Sequence, residues 1–284
     1  MTGTIQPVFH QFDQSKVDDN KTNYHLSLQI SIDGFCFALF HIIEKRYIGI
    51  GEYQTSSNQT MDIHLFENIV KNEKWLQGNF KSVSCSFSSS KSTLIPSPLF
   101  DDQELRSYLS LHTDLSPTDE VFSNKLIQSP IRNCFAIPHA WSELIVSQFP
   151  NTNILNISST LIEAAIQNNQ KRTEIMLHFL GGEFKLVITN GQQLLMSNSF
   201  NYQTSEDVIY YLLYVMEQLK LDPNKSVLIL SGKILKDSAI YKLLYKYILT
   251  IEFADLPHSV EYAKPIMQTE THRYYPLIQQ YLCE

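Results

Sequence analysis

The sequence predicts an α/β protein that uses one arrangement twice, each half forming a mixed β-sheet flanked by helices. Three observations support this prediction. Some segments alternate apolar and polar residues as strands do, whereas others repeat apolar residues at helical spacing. The order of these segments is the same in both halves of the chain. The chain has 284 residues, of which 43% are hydrophobic, and this is enough for two domains of ordinary size.

The first half opens with three predicted strands. Apolar residues alternate over 26–32, Asp33-Gly34 is a hairpin turn of the kind that tolerates positive φ, and 35–43 returns as a more buried strand. A third strand over 47–53 extends the meander. The segment therefore predicts a three-stranded antiparallel sheet.

Helices and strands follow in the rest of the first half. Serines dominate residues 84–92, which predicts a loop there. Helix starts are expected at residues that can cap an N-terminus, namely Thr60, Asp101 or Asp102, and Ser158 or Ser159. The predicted elements are a helix over 60–75, a strand over 80–87, a short helix over 101–111, strands over 121–127 and 133–137, a helix over 138–149, a strand over 153–157 and a helix ending at 166.

The second half restarts the same order. Gly181-Gly182 marks the first tight turn, and Thr204 or Ser205 is expected to cap the long helix after the third strand. The predicted elements are strands over 175–179, 184–188 and 194–200, a helix ending at 219, a buried strand over 227–230, a helix over 240–247, a strand over 251–254 and a C-terminal helix over 271–282.

Two matched features indicate an internal duplication. The hairpin turns at Gly34 and Gly182 lie 148 residues apart, and the tetrapeptide Tyr-Gln-Thr-Ser at 53–56 recurs at 202–205, an offset of 149. The two offsets agree within one residue. The predicted division is a flexible N-terminal tail over 1–23, a first domain over 24–170 with an insertion at 119–149, and a second domain over 171–284 with the C-terminal helix.

Composition argues against several classes of partner. The formal net charge is −7 and no run of five Lys or Arg occurs, which argues against a nucleic-acid or anionic-membrane surface. The longest apolar run, 35–43, is too short to span a membrane. The N-terminus lacks the pattern of a secretory signal, so we expect a cytoplasmic protein. Four cysteines share no CxxC spacing, which argues against a zinc site or a disulfide framework.

Common catalytic signatures are missing from the sequence. Three local clusters of polar and aromatic residues are weaker candidates for a functional site. GxGxxG, GxxxxGK[ST], GxSxG and HExxH do not occur. His139, Trp141 and Glu143 gather near a helix start, which is compatible with a site but also with ordinary surface and capping residues. Two tyrosine groups could form a docking surface or half-buried packing: Tyr210, Tyr211 and Tyr214, and Tyr241, Tyr245 and Tyr247.

The element order resembles the actin-like ATPase superfamily, a duplicated ribonuclease H-like fold that includes actin, sugar kinases and heat-shock chaperones. The resemblance runs from about Leu26 to Leu256 and rests on the paired hairpins, the order of elements and the buried strand followed by Ser231-Gly232. The chain as a whole also resembles an uncharacterised bacterial family of unknown function. The resemblance implies a cleft between the two domains.

The resemblance also implies where a nucleotide would bind. In that superfamily an Asp followed by Gly on the first hairpin holds the nucleotide's metal through water, and Asp33-Gly34 matches this position. The same dipeptide is a common hairpin turn, so the local signal leaves both interpretations open. The second hairpin keeps Gly181 and Gly182, but Phe179 stands nearest the expected acid, and a phenyl ring cannot bind a metal.

The third part of the implied site is the adenosine-binding turn. It corresponds to Ser231-Gly232-Lys233, which keeps one glycine and has a long side chain where backbone would have to approach the base closely. We therefore predict a vestigial nucleotide site formed by Asp33, Gly34, Gly181, Gly182, Ser231, Gly232 and Lys233. It has no predicted catalytic residue and no predicted metal ligand.

The sequence thus predicts a non-catalytic scaffold or protein-binding module without a resident cofactor. Its partner would be an unidentified protein, and the chain would be a monomer or a homodimer. One alternative is an ATP-binding protein with weak ATPase or kinase activity in the cleft, which retains ATP and Mg²⁺. Another is a structural homodimer that uses an exposed sheet edge or the insertion at 119–149.

Overall fold

A computed structural model describes residues 6–16, 21–56, 59–169 and 171–283. The strands are β1 (Phe9–Phe12), β2 (Tyr24–Ser31), β3 (Gly34–His41), β4 (Arg46–Gln54), β5 (Ser82–Phe87), β6 (Ser92–Pro96), β7 (Asp119–Lys125), β8 (Ile131–Pro138), β9 (Asn153–Asn156), β10 (Thr173–Phe179), β11 (Glu183–Asn190), β12 (Gln193–Asn201), β13 (Val227–Gly232), β14 (Thr250–Phe253) and β15 (Glu261–Tyr262). The helices are α1 (Ile63–Asn72), α2 (Leu105–Ser110), α3 (His139–Gln148), α4 (Ile157–Asn168), α5 (Ser205–Gln218), α6 (Ala239–Leu244), α7 (Lys264–Met267) and α8 (Tyr275–Leu282).

Two mixed sheets share one strand order. The first sheet runs β1-β4-β3-β2-β5-β9, and the second runs β12-β11-β10-β13-β14. In both, three antiparallel strands are followed by two parallel ones. The first sheet adds β1 at its outer edge, and β15 also pairs with β4. The predicted mixed-sheet α/β class is confirmed, and the internal duplication that this order suggests stays a prediction.

A third, small sheet lies between β5 and β9 along the chain. Its order is β6-β8-β7, and α2 packs on it through Leu109. Strands β7 and β8 and helix α3 match the elements predicted for the insertion. Strand β6 was expected to be loop, because serines and prolines surround it. Its hydrogen-bond partner β8 lies about forty residues later, so local composition could not show the pairing.

The predicted N-terminal tail is wrong for residues 9–12, which form β1 on the outer edge of β4. Phe12 is buried and stacks on Trp75 with ring centroids 4.4 Å apart. Glycine makes this docking possible, because a side chain at Gly49 would overlap the Phe12 ring. The rest of the predicted tail includes residues 1–5 and 17–20, which lie outside the described residues.

Three helix starts test the predicted caps. Thr204 caps α5 in a capping box with Asp207, as predicted. Asp62 rather than Thr60 caps α1, and Asn156 rather than Ser158 or Ser159 caps α4. In both corrected cases an Asp or Asn side chain accepts the N–H bond two or three residues later, which Asp and Asn do at least as well as Ser or Thr.

The C-terminal helix α8 returns to the first sheet. Gln280 Nε2 donates to Leu28 O at 3.2 Å and to Ser84 Oγ at 2.7 Å, and Tyr47 Oη donates to Ile278 O. Helix α8 therefore contacts the first sheet, although its sequence position places it in the predicted second domain. Among the described residues, no helix is both long and apolar enough to cross a membrane.

We expect Phe12→Ala to lower the free energy of unfolding by about 3–5 kcal/mol, because it removes a buried ring from a stacked pair. Urea unfolding followed by circular dichroism measures the change. Val8→Ala, at an exposed position one residue before β1, is the control and should have little effect. Equal effects of the two variants would show that β1 is not docked on β4.

Candidate functional site

The turns of the two main hairpins meet face to face. Asp33 lies in the turn between β2 and β3, and Gly181 lies in the turn between β10 and β11. A Cβ atom at Gly181 would stand 2.5 Å from Asp33 Oδ2, so a larger residue there would require the Asp33 side chain to move. Gly34 is equally confined, because a Cβ there would overlap Tyr53 O. The structure thus brings the two predicted phosphate-binding turns into contact with each other.

The predicted adenosine turn lies beside them at the end of β13. Gly232 has a φ of +81°, and a Cβ atom would overlap Phe179 O, so this position requires glycine. The next residue, Lys233, donates its backbone N–H to Phe179 O at 2.9 Å. Ser231 Oγ bonds His178 Nδ1 at 3.0 Å within the sheet. Backbone pairing between β10 and β13 therefore fixes where the Lys233 side chain starts.

Lys233 forms an ion pair with Asp33 across the hairpins. Its Nζ bonds Asp33 Oδ2, while Ser31 Oγ donates to Asp33 Oδ1 at 2.8 Å. The two charged side chains are 24% and 23% exposed. Burial by itself would raise the pKa of Asp33, but the hydrogen bond and charge of Lys233 and the bond from Ser31 outweigh it, so the pKa is lowered. The carboxylate proposed to serve a metal is thus neutralised by a lysine of the same chain.

Little space remains between the two hairpins at this site. The cavity lined by Gly34, Phe179, Gly232 and Lys233 has a volume of about 30 Å³. Pockets that hold small molecules usually measure about 300–1,000 Å³, whereas a volume of this size accommodates a water or two. The seven predicted residues are therefore near one another, with Gly182 facing open space. They do not enclose room for a nucleotide.

Two further polar residues line this cavity and were missed by the sequence analysis. Gln29 on β2 and His178 on β10 come from opposite sheets, and their Oε1 and Nε2 atoms are buried without a partner among the described residues. Burial, with added repulsion from Lys185 and Lys233, lowers the pKa of His178 to about 3, so the imidazole is neutral. A polar residue inside an apolar strand was the available signal, since His178 interrupts the run from Ile175 to Phe179.

A second ion pair reinforces the same wall of the cavity. Arg273 donates from Nε and Nη2 to both oxygens of Glu52, at 2.9 and 2.7 Å, and Tyr274 Oη donates to Glu52 Oε2 at 2.8 Å. Burial first, and then the charge of Glu52, raises the pKa of Tyr274. Arg273 and Glu52 are 221 positions apart, so no local pattern could have revealed this network.

A larger pocket lies beside the small sheet. We call it the insertion groove, and its volume is about 370 Å³. Ile32, at the tip of the first hairpin, is 65% exposed at the groove. The residues that line it are Ile30–Ile32, Thr60, Met61, Phe87–Lys91, Asp119, Ala136–Pro138 and Trp141. The groove therefore combines an apolar wall with a serine-rich one.

One ion pair lines the insertion groove. Lys91 Nζ lies 2.7 Å from Asp119 Oδ2. Burial would raise the pKa of Asp119, but the bonds from Lys91 and from the Ser116 backbone outweigh it, and the pKa is lowered. Apart from this pair, the serine-rich wall of the groove, which includes Ser88, Ser89 and Ser90, presents hydroxyl and backbone groups. The site suits an uncharged, partly apolar segment.

The residues of the cluster at His139, Trp141 and Glu143 have separate environments in the structure. Trp141 packs edge-on against Phe66 and Phe87 beneath the groove, whereas His139 Nδ1 contacts Glu120 Oε2 at 2.9 Å on the surface. Glu143 is exposed and is no part of that pair. In the described ranges, no three His, Cys, Asp or Glu side chains are grouped so that they could hold a metal ion.

Comparisons with known proteins place the chain in a fold and a family. A family model described as "Protein of unknown function (DUF3822)" matches residues 13–251. A Bacteroides thetaiotaomicron protein "with actin-like ATPase fold and unknown function" is 23% identical, covers 86% of this chain and 94% of its own, and has a TM-score of 0.75. The structure of the PilM–PilN type IV pilus biogenesis complex is 12% identical, covers 92% of this chain and 98% of its own, and has a TM-score of 0.62. No curated protein matches the sequence.

These similarities show the actin-like ATPase fold that the element order resembled. They match nearly the whole of both solved chains, so the likeness includes both main sheets. At 23% and 12% sequence identity, these two structures show that the fold is shared and show nothing about the function. The chemistry of the cleft has to be argued from the residues of this chain.

The ion pair predicts a specific pH dependence. Because the pKa of Asp33 is lower in the folded chain than its ordinary value of 3.8, the pair stabilises the fold above that value, and the stabilisation is lost as the pH falls through the folded pKa. Lys233→Met should lower the free energy of unfolding at pH 7 by about 1–3 kcal/mol, since a partly buried carboxylate loses its partner. The difference from the parent chain should shrink as the pH falls below 3.8 and the Asp33 carboxylate takes up a proton. Denaturant unfolding at several pH values measures it.

Lys225→Met is the matched control, because Lys225 pairs with Asp222 at the exposed surface. It should leave stability unchanged across the same pH range. The double variant Asp33→Asn with Lys233→Met should show coupling between the two positions. Additive effects of the two single changes would contradict the pairing.

Proposed function

The chain belongs to the DUF3822 family of proteins of unknown function, and we propose that it is a non-catalytic scaffold that binds another protein. One observation carries the proposal. The place that the resemblance assigns to nucleotide phosphates is occupied by the Asp33–Lys233 ion pair, with only about 30 Å³ of free volume beside it. A cytoplasmic location is part of the same proposal.

The residues of the cleft support the non-catalytic part. Phosphoryl transfer depends on a concentrated array of metal and charge aimed at the phosphates. Here Asp33 is already neutralised by Lys233, and Phe179 offers no acid from the second hairpin. Phe179 is fully buried among apolar residues, so its role is packing. Binding of Mg-ATP would need this ion pair to break and the two hairpins to separate.

The insertion groove supports the protein-binding part. Its volume of about 370 Å³ falls within the range of ligand-binding pockets. Its exposed Ile32 offers apolar area that would be buried on binding, and its serine-rich wall offers hydrogen bonds. PilM, whose fold this chain shares, is seen in complex with PilN, another protein. We propose that a short uncharged segment of a partner protein occupies the insertion groove.

Calorimetric titration with Mg-ATP tests the non-catalytic part. We expect no binding heat at nucleotide concentrations up to about 1 mM, because the phosphate position is filled. A dissociation constant in the micromolar range, worth about 8 kcal/mol, would favour the alternative of an ATP-binding protein with weak ATPase or kinase activity. That alternative would require the binding to be lost in Asp33→Ala and kept in Asp222→Ala, the exposed carboxylate control.

Site-specific photo-crosslinking in cells tests the protein-binding part. A benzophenone side chain at position 32 should yield a discrete adduct with one protein, since Ile32 borders the insertion groove. The same group at position 43, another exposed isoleucine remote from the groove lining, should not. The protein identified in the adduct should bind Ile32→Asp at least about tenfold more weakly than the parent chain, as expected when an isoleucine contact is lost. Equal adducts from positions 32 and 43 would contradict the assignment.

A further inference from the structure

Strand β12 is an unusual edge strand. It forms one outer edge of the second sheet, has nine residues, and carries no charged residue and no proline. Other sheet edges are protected in the ways that soluble proteins commonly use. The edge strands β1, β9 and β14 have four residues each, β6 contains Pro96, and β7 contains three charged residues. Within the described part of the chain, β12 alone is a long, uncharged edge.

The outward-facing groups of β12 can be assigned from its pairing. The Tyr202 N–H donates to Gly182 O, and in an antiparallel pair the residues of one strand bond the neighbouring strand at every second position. The even-numbered residues of β12 therefore bond β11. The backbone groups of Ser197, Ser199 and Asn201 point away from the sheet. A β-bulge interrupts the register near Leu195, which leaves 196–201 regular. The Ser199 N–H donates to Asn198 Oδ1 at 2.8 Å, a bond that the Asn198 side chain can release by rotating.

An aromatic ridge lies beside this edge on α5. Tyr211 stacks on Phe200 of β12 with ring centroids 4.8 Å apart. Tyr210 and Tyr214 stack on each other 6.1 Å apart and are 64% and 51% exposed. Helix α5 runs back along β12, rising about 1.5 Å per residue against about 3.4 Å for the strand, so Tyr214, three residues after Tyr211, is level with about Ser199. Along the strand direction, the exposed Tyr214 is therefore near the middle of the regular part of β12.

We propose that β12 pairs antiparallel with β12 of a second copy of this chain, about a two-fold axis near Asn198. A strand paired antiparallel with itself satisfies its own donors and acceptors, which is what a two-fold interface requires. The absence of charge on β12 means that two copies do not repel along the strand. The joined sheet would have ten strands, with both α5 helices on the same face and the Tyr210 and Tyr214 rings covered between them.

The mass in solution, measured by light scattering on the full chain, tests this pairing. The parent chain of 32.8 kDa should show twice that mass at about 100 µM and dissociate on dilution. Asn198→Lys places like charges opposite each other at the axis, and Tyr214→Glu charges the ridge. Either change should weaken the dimer at least about tenfold. Ser199 is left unchanged because its hydroxyl accepts a bond from buried Lys185.

Tyr245→Glu is the matched control, since Tyr245 is a similarly exposed tyrosine on the surface beyond α6. It should leave the dimer intact. In a Cys283→Ser background, Asn198→Cys should be linked across the axis by a short bis-maleimide, as the other three cysteines are buried. A parent chain that keeps the monomer mass of 32.8 kDa at every concentration would overturn the proposal. So would a dimer insensitive to both Asn198→Lys and Tyr214→Glu, or one in which the Asn198→Cys variant is not linked.

Discussion

The ion pair of Asp33 and Lys233 joins the two halves where their hairpin turns meet. Each group comes from a different main sheet, and each is about three-quarters buried, so neither would be stable there without the other. The pair lies where the two hairpins touch, and Gly181 is the residue whose missing side chain permits that contact. Arg273 and Glu52 reinforce the same wall through two parallel hydrogen bonds. These contacts leave a cavity of about 30 Å³ between the two hairpins.

The fold is that of the actin-like ATPases, whereas the residues of the cleft favour a non-catalytic role. The strand order, the hairpins and Gly232 keep the actin-like architecture, because backbone geometry and close packing demand them. The side chains gathered beside the two hairpins are a lysine paired with Asp33, a buried phenyl ring and a neutral histidine. A shared scaffold does not require a shared reaction. The surfaces that remain open are the insertion groove and the β12 edge, and both suit contacts with polypeptide.

Much of this could be predicted from the residues alone. Alternating and helical apolar patterns identified the elements of both main sheets, since each buries one face against the core. The Asp33 turn, the Gly181-Gly182 turn and Gly232 were also predictable, because tight turns and positive φ restrict residue type. Strands β1 and β6 were not, since each depends on a partner strand remote in sequence. Gln29 and Glu52 were missed for the same reason.

The sequence by itself determined the fold class, the order along the chain of most strands in the two main sheets, and the absence of an acidic residue from 175–182, because these follow from residue type and spacing along the chain. Only the tertiary structure decided that Lys233 pairs with Asp33 over a separation of 200 residues, that the cleft is closed, and that β12 is left as an open edge. The physical reason is that charge pairing, cavity volume and edge exposure depend on which distant segments come together, and local patterns carry no information about that distance.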